Sequence, residues 1–194
     1  MKLPLLIAGA ASGAMLATAC PAAVPGPFGI RIGAPVSRLD GARRFKPGWY
    51  QVARPPLPDA RFDKVAVEAF PATGVCVVQA VSPVIVSDPE GVGIRAEVDR
   101  LAQAFSADFG RPEKLNTCSS MICAPEFWAS DLLAGERRYG YRWRTQGGAI
   151  PHVREVSVLA VARSATAFTY LVEYQGDALT ACRTEEAALD VDGR

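Results

Sequence analysis

The sequence predicts an α+β fold, with an antiparallel sheet of about five to seven strands packed by two main helices. Three observations carry this reading. Short runs rich in Val and aromatic residues are bounded by Gly, Pro and Asp turns. One long segment, 94–109, repeats apolar residues at helical spacing. The strand-like runs also come several in sequence with helices between the runs, which fits helices packed on one face of an antiparallel sheet.

Taken in order, residues 28–33 (FGIRIG) alternate, with Phe28, Ile30 and Ile32 on one face of an expected strand. Residues 35–41 suit a short helix, because Pro35 fits the first turn and Gly41 can end it. Strands are expected over 49–53, 63–70 and 74–86, the last interrupted by Pro83. The RPPLPDA stretch between the first two reads as a rigid connector, although it superficially resembles a polyproline ligand. The helix over 94–109 places Ile94, Val98, Leu101, Ala102, Phe105 and Phe109 on one face; Gly110 and Pro112 stop it. After a polar loop come a short helix around PEFWASDLL and strands over RRYGYRWR, VREVSVLAVA and AFTYLVEYQ. Each half of the chain thus reads as a helix followed by three strands, as an internal duplication would give. The single domain is expected over 28–182, and residues 183–194 are expected to form an acidic, fraying tail.

The ends point to export. Residues 1–19 combine a basic Lys2, an apolar stretch and the small residues Ala17, Thr18 and Ala19, as a cleavable signal peptide does. Cys20 directly follows, and Pro- and Gly-rich residues 20–27 read as a tether. The Ala-Cys junction resembles the lipoprotein signal, in which the cysteine bears the lipid. Here Leu16 lies one residue early and Pro21 is unusual. Without Cys20, four cysteines remain, the even number that disulfide pairing in an oxidising compartment requires. The expected location is therefore the periplasm, with membrane contact only through a lipidated Cys20, or else a free periplasmic or secreted protein. Removing residues 1–19 removes one base, Lys2, and leaves 20 basic against 20 acidic residues. A neutral chain has no general attraction for nucleic acid.

Chemistry-bearing residues are few. His152 is the sole histidine, no nucleophile elbow accompanies it, and a strand-end role suffices for it. Gly91-Val92-Gly93 is a fragment of an anion-binding loop without the remaining Gly or Lys, and reads as a turn before the long helix. The acidic residues near that helix start suit its dipole, and no carboxylate pair for glycoside hydrolysis is evident. No cofactor and no metal site is expected. A four-thiolate metal site would need Cys76, Cys118, Cys123 and Cys182 together, and disulfides suit an exported protein better. Four cysteines allow three pairings. Cys76–Cys182 and Cys118–Cys123 are the expected bridges, the second stiffening a loop that carries Met121 and Ile122. In RRYGYRWR the aromatics suit the core, leaving Arg138, Arg142 and Arg144 on the opposite, solvent face, where they could meet an acidic partner or an anionic envelope polymer.

The segment GIRIGAPVSRL, with Gly29, Ile30, Ile32, Gly33 and Leu39, resembles the opening motif of small exported bacterial proteins with helix-plus-sheet repeats. These are the β-lactamase-inhibitor-protein type and the SmpA/OmlA type of outer-membrane assembly lipoprotein. The match is confined to these residues, and Ala34 and Pro35 replace the usual Met and small polar residue. The resemblance implies a non-enzymatic, protein-binding role in the cell envelope and carries over no catalytic residue. The expected function is thus a protein-binding or inhibitor module with an envelope or extracellular protein partner. A structural accessory role in envelope assembly is the alternative, and an enzyme acting on envelope polymers comes third.

Overall fold

A computed structural model describes residues 26–145 and 150–192. The expected signal peptide, Cys20 and most of the tether lie outside these residues. The fold is α+β, as the sequence predicts, with nine strands and three α-helices among the described residues.

Strands β1 (Ala42–Lys46), β2 (Trp49–Val52), β3 (Lys64–Phe70) and β4 (Gly74–Val81) form one antiparallel meander. Strands β6 (Glu113–Cys118), β7 (Arg137–Arg144), β8 (Val153–Ala162) and β9 (Ala167–Gly176) form a second. The last strands of the two meanders pair antiparallel, giving the order β1-β2-β3-β4-β9-β8-β7-β6. A two-residue strand, β5 (Ile85–Val86), pairs with the far end of β9. The strand count exceeds expectation because β1 and β6 are polar edge strands, ARRFK and EKLNTC, without apolar alternation. Each half therefore holds a four-strand meander.

Helix α1 (Val92–Phe109) covers one face of β7, β8 and β9. Its predicted stripe is the buried one: Ile94, Val98, Leu101, Ala102 and Phe105. These join Val156, Val158, Phe168, Tyr170 and Val172 of the sheet in the main core. The helix starts two residues earlier than its apolar period suggests, because upstream side chains cap it. Asp88 Oδ1 accepts the Val92 N–H at 3.2 Å, and Ser87 Oγ accepts the Gly93 N–H at 2.9 Å. Gly91 is required there twice over: its φ is 70°, and a Cβ would lie 2.2 Å from the Trp128 ring.

Two N-terminal expectations are corrected. Residues 28–33 are not a strand. Pro27–Gly29 form a single 3-10 turn in which Phe28 has φ 55° and Gly29 φ 75°, and left-handed residues break a strand ladder. Ile30 and Ile32 are buried all the same. The helix expected over 35–41 is only a 3-10 turn, Val36–Arg38.

The tail also differs. Residues Leu179–Asp192 form α3, packed on β3 and β4. Beneath it lies a small second core of Trp49, Phe70, Cys76, Val77 and Cys182. The alternation of β3 sends Val65, Val67 and Ala69 to the main core and Phe70 to this one, so α3 and α1 cover opposite faces. The helix is tied down by the Cys76–Cys182 disulfide and by polar bonds that composition does not announce. Glu185 accepts the N–H groups of Ala72 and Thr73 at 2.9 and 3.1 Å and the Thr73 hydroxyl at 2.9 Å. Among the described residues no helix is long and apolar enough to cross a membrane.

Candidate functional site

The second disulfide, Cys118–Cys123, closes the loop that leaves the end of edge strand β6. Both bridges are the pairs the sequence predicts. The closed loop presents its apolar residues outward: Met121 is fully exposed, and Ile122 is 61% exposed. Inside the loop Ser120 folds back on the chain, its hydroxyl accepting the Ile122 N–H at 3.3 Å. After the loop come a 3-10 turn, Pro125–Phe127, and helix α2 (Trp128–Leu133). Phe127 and Leu133 remain about half exposed, while Trp128 and Ala129 turn into the core. Trp128 packs on Tyr139 and Phe168, and the Ala129 N–H donates to Pro89 O at 3.0 Å.

The base of the loop is anchored by a buried ion pair that sequence reading missed. Arg137, at the start of β7, donates from Nη2 to Asp131 Oδ2 of α2 at 3.1 Å, and both side chains are nearly inaccessible. The same carboxylate oxygen lies 3.6 Å from the Cys118 sulfur. The Ser119 N–H and hydroxyl both donate to Glu136 O, at 2.7 and 3.0 Å. A signal for this anchor did exist in the sequence. Asp131 and Arg137 are charges that flank an apolar turn, and a short helix packed on a sheet buries whatever lies on its inner side.

The three arginines project from the β7 face opposite Tyr139 and Trp143, both of which are buried in the main core. They are not one free cationic patch. Glu113 of β6 stands opposite Arg142 in register and binds it at 2.7 Å, with Arg144 at 4.0 Å from the same oxygen. This pairing holds the Glu113 carboxyl below the usual carboxylate range, its hydrogen bond from Arg142 being the main cause. Arg138 is exposed and stands opposite Thr117, one residue from Cys118. Arg138 therefore borders the stapled loop, while Arg144 lies about 20 Å further along the strand.

His152 has a partner after all. It occupies a left-handed turn (φ 63°) before β8, and its Nδ1 lies 3.2 Å from Asp177 Oδ2. Both side chains are largely exposed, and among the described residues no Ser, Thr or Cys hydrogen-bonds to the imidazole. The pair has the orienting half of a catalytic triad without its nucleophile. Gly91-Val92-Gly93 is a turn closed by Ser87 and Asp88, whose oxygens take the amides an anion would need. No protein-family model matches this chain, and neither does any curated protein or solved structure.

Proposed function

We propose that this chain is an exported, non-catalytic binding module that docks a protein partner in the cell envelope through the stapled Cys118–Cys123 loop. One observation carries the reading: Met121 is fully exposed at the apex of a loop whose ends are covalently joined. An exposed apolar apex has a hydration cost that a core position would not have, so its usefulness lies in contact with another surface. Cross-linking the loop lowers the entropy lost when it docks. Phe127 and Leu133, half exposed on the elements that follow the loop, add further exposed apolar surface, and Arg138, opposite Thr117, supplies a charge beside the loop. The two disulfides are compatible with an oxidising compartment, which supports export. In this reading Cys20 carries a lipid that holds the module at a membrane, as the signal-like residues 1–19 suggest.

The test is affinity capture from solubilised envelope with wild type and with Met121→Asp/Ile122→Asp. Exposed positions tolerate such changes within about 0.5 kcal/mol of stability, so the variant stays folded. The proposal expects a partner retained by wild type and lost from the variant. Equal retention by both proteins rejects the loop as the docking surface.

A further inference from the structure

The proline-rich connector and Phe28, the first residue after the tether, line a cavity of about 440 Å³. They are locked together. The Leu57 N–H donates to Phe28 O at 2.9 Å, and a Cβ on Gly29 would come within 2.8 Å of the Pro56 side chain. Three aromatic rings pack on one another along one side of this open cavity, beside the connector residues Pro58, Asp59 and Arg61. Phe28 meets Phe62 at a centroid distance of 5.3 Å and Tyr174 at 6.1 Å, both edge to face. The half-exposed Leu57 forms one side. Phe28 supplies its ring from φ 55°, ψ 24°, a conformation bulky residues rarely adopt. A glycine would suit that turn without strain but would leave the wall open. Backbone strain retained at the edge of a cavity is a mark of ligand sites.

Two hydrogen-bond donors in the wall lack acceptors. Tyr174 is only 8% exposed, and its hydroxyl makes no hydrogen bond among the described residues. That oxygen keeps some contact with solvent, and Tyr174 lines the cavity. Tyr139, Tyr141 and Tyr170, by contrast, each donate to an oxygen. Burial raises the Tyr174 phenol well above its ordinary range, so it stays protonated and able to donate. The second donor is Arg61. Its Nε and Nη2 are spent on Asp59, at 3.0 and 2.5 Å, and Nη1 has no partner among the described residues. Asp59 also accepts the Arg61 N–H at 2.9 Å, so the one carboxylate of the wall is already occupied.

We propose that this cavity binds a small molecule bearing an apolar ring and a carboxylate on a short chain. The ring lies against Leu57 and the Phe28 and Phe62 rings, and the carboxylate takes the Tyr174 hydroxyl and Arg61 Nη1. The site is independent of the stapled loop, so either reading can fail alone.

The test is an NMR titration of the intact protein with 3-phenylpropanoate and, separately, with 3-phenylpropylamine, which has the same ring and an opposite charge. The acid is expected to shift the ring signals of Phe28, Phe62 and Tyr174 saturably and to bind at least about tenfold more tightly than the amine. Tyr174→Phe keeps the wall and removes the donor, and should weaken the acid about tenfold, the size of one hydrogen bond to a charged group. Arg61→Gln, at a half-exposed position, gives the same reading if the first variant does not fold. No saturable shift with the acid, equal binding of acid and amine, or unchanged affinity in the folded variants overturns the proposal.

Discussion

Arg183 reaches from α3 to place Nη1 2.5 Å from Oε1 of Glu68, a carboxylate with no solvent exposure. Its other oxygen, Oε2, has no hydrogen-bond partner. The arginine is half exposed and shared with Glu186 at 2.8 Å, so it only partly compensates the buried charge.

This arrangement makes the docking of α3 pH-dependent in a definite direction. Burial is the largest influence on Glu68 and raises its pKa above the ordinary carboxylate value, against the attraction of Arg183. The folded chain then holds this proton to higher pH than the unfolded chain, so stability falls as pH rises from the unfolded pKa to the raised folded one. Glu68→Gln removes that dependence. Denaturant unfolding at several pH values between about 4 and about 7 should show the variant gaining on wild type as pH rises. A gain by wild type instead would mean that the Arg183 attraction outweighs burial.

The disulfide beside this pair spans 106 residues and joins the two meanders through β4 and α3. Cys76→Ala/Cys182→Ala should cost up to about 4–5 kcal/mol in the chain-entropy account. Chemical unfolding of the double variant under non-reducing conditions measures it. A loss near zero would show that α3 is held by its polar ties alone.

The short bridge should behave differently. Its loop is small, so Cys118→Ser/Cys123→Ser should cost only about 2 kcal/mol. The base remains fixed by the buried Asp131–Arg137 pair. Hydrogen exchange should then rise at Ser120–Ile122 and stay unchanged in β7. Partner affinity should fall without global unfolding.

Helix α1 is fastened to β7 by packing and by Asp99, whose Oδ1 accepts both the Tyr139 and Tyr141 hydroxyls at 2.7 and 2.8 Å. Phe105 packs on Trp143 at a centroid distance of 5.8 Å. Phe105→Asp buries an unpaired charge there and should unfold the domain, whereas Tyr141→Phe removes one partly exposed bond and should cost about 1 kcal/mol. Thermal melts of the two variants separate core from latch.

The legible parts of this fold are those where burial follows a simple period. Ile94, Val98, Leu101 and Phe105 announce α1, and alternation announces β7, β8 and β9. The same rule misleads at Phe28, Ile30 and Ile32, because two inward isoleucines and a wall-forming phenylalanine imitate a strand while Phe28 and Gly29 are left-handed. Strand β6 is invisible for the opposite reason: as an edge it buries almost nothing, and it is recruited by pairing Glu113–Cys118 with Arg137–Arg142. Helix α3 depends on a disulfide, Arg183 and Glu185 rather than on an apolar stripe. Of the loop surface, the cysteines and the Met-Ile apex are readable; the Asp131–Arg137 anchor leaves only the trace of two charges flanking an apolar turn, and the Glu113 counterion needs the β6–β7 register.

The central claim is that Met121 touches another protein. Site-specific photo-cross-linking in cells tests it most directly, with the photoreactive residue at position 121 and, as a control, at Arg43 on the opposite edge strand β1. The account predicts a discrete adduct from position 121 and none from position 43. No adduct at 121, or the same adducts from both positions, would contradict it.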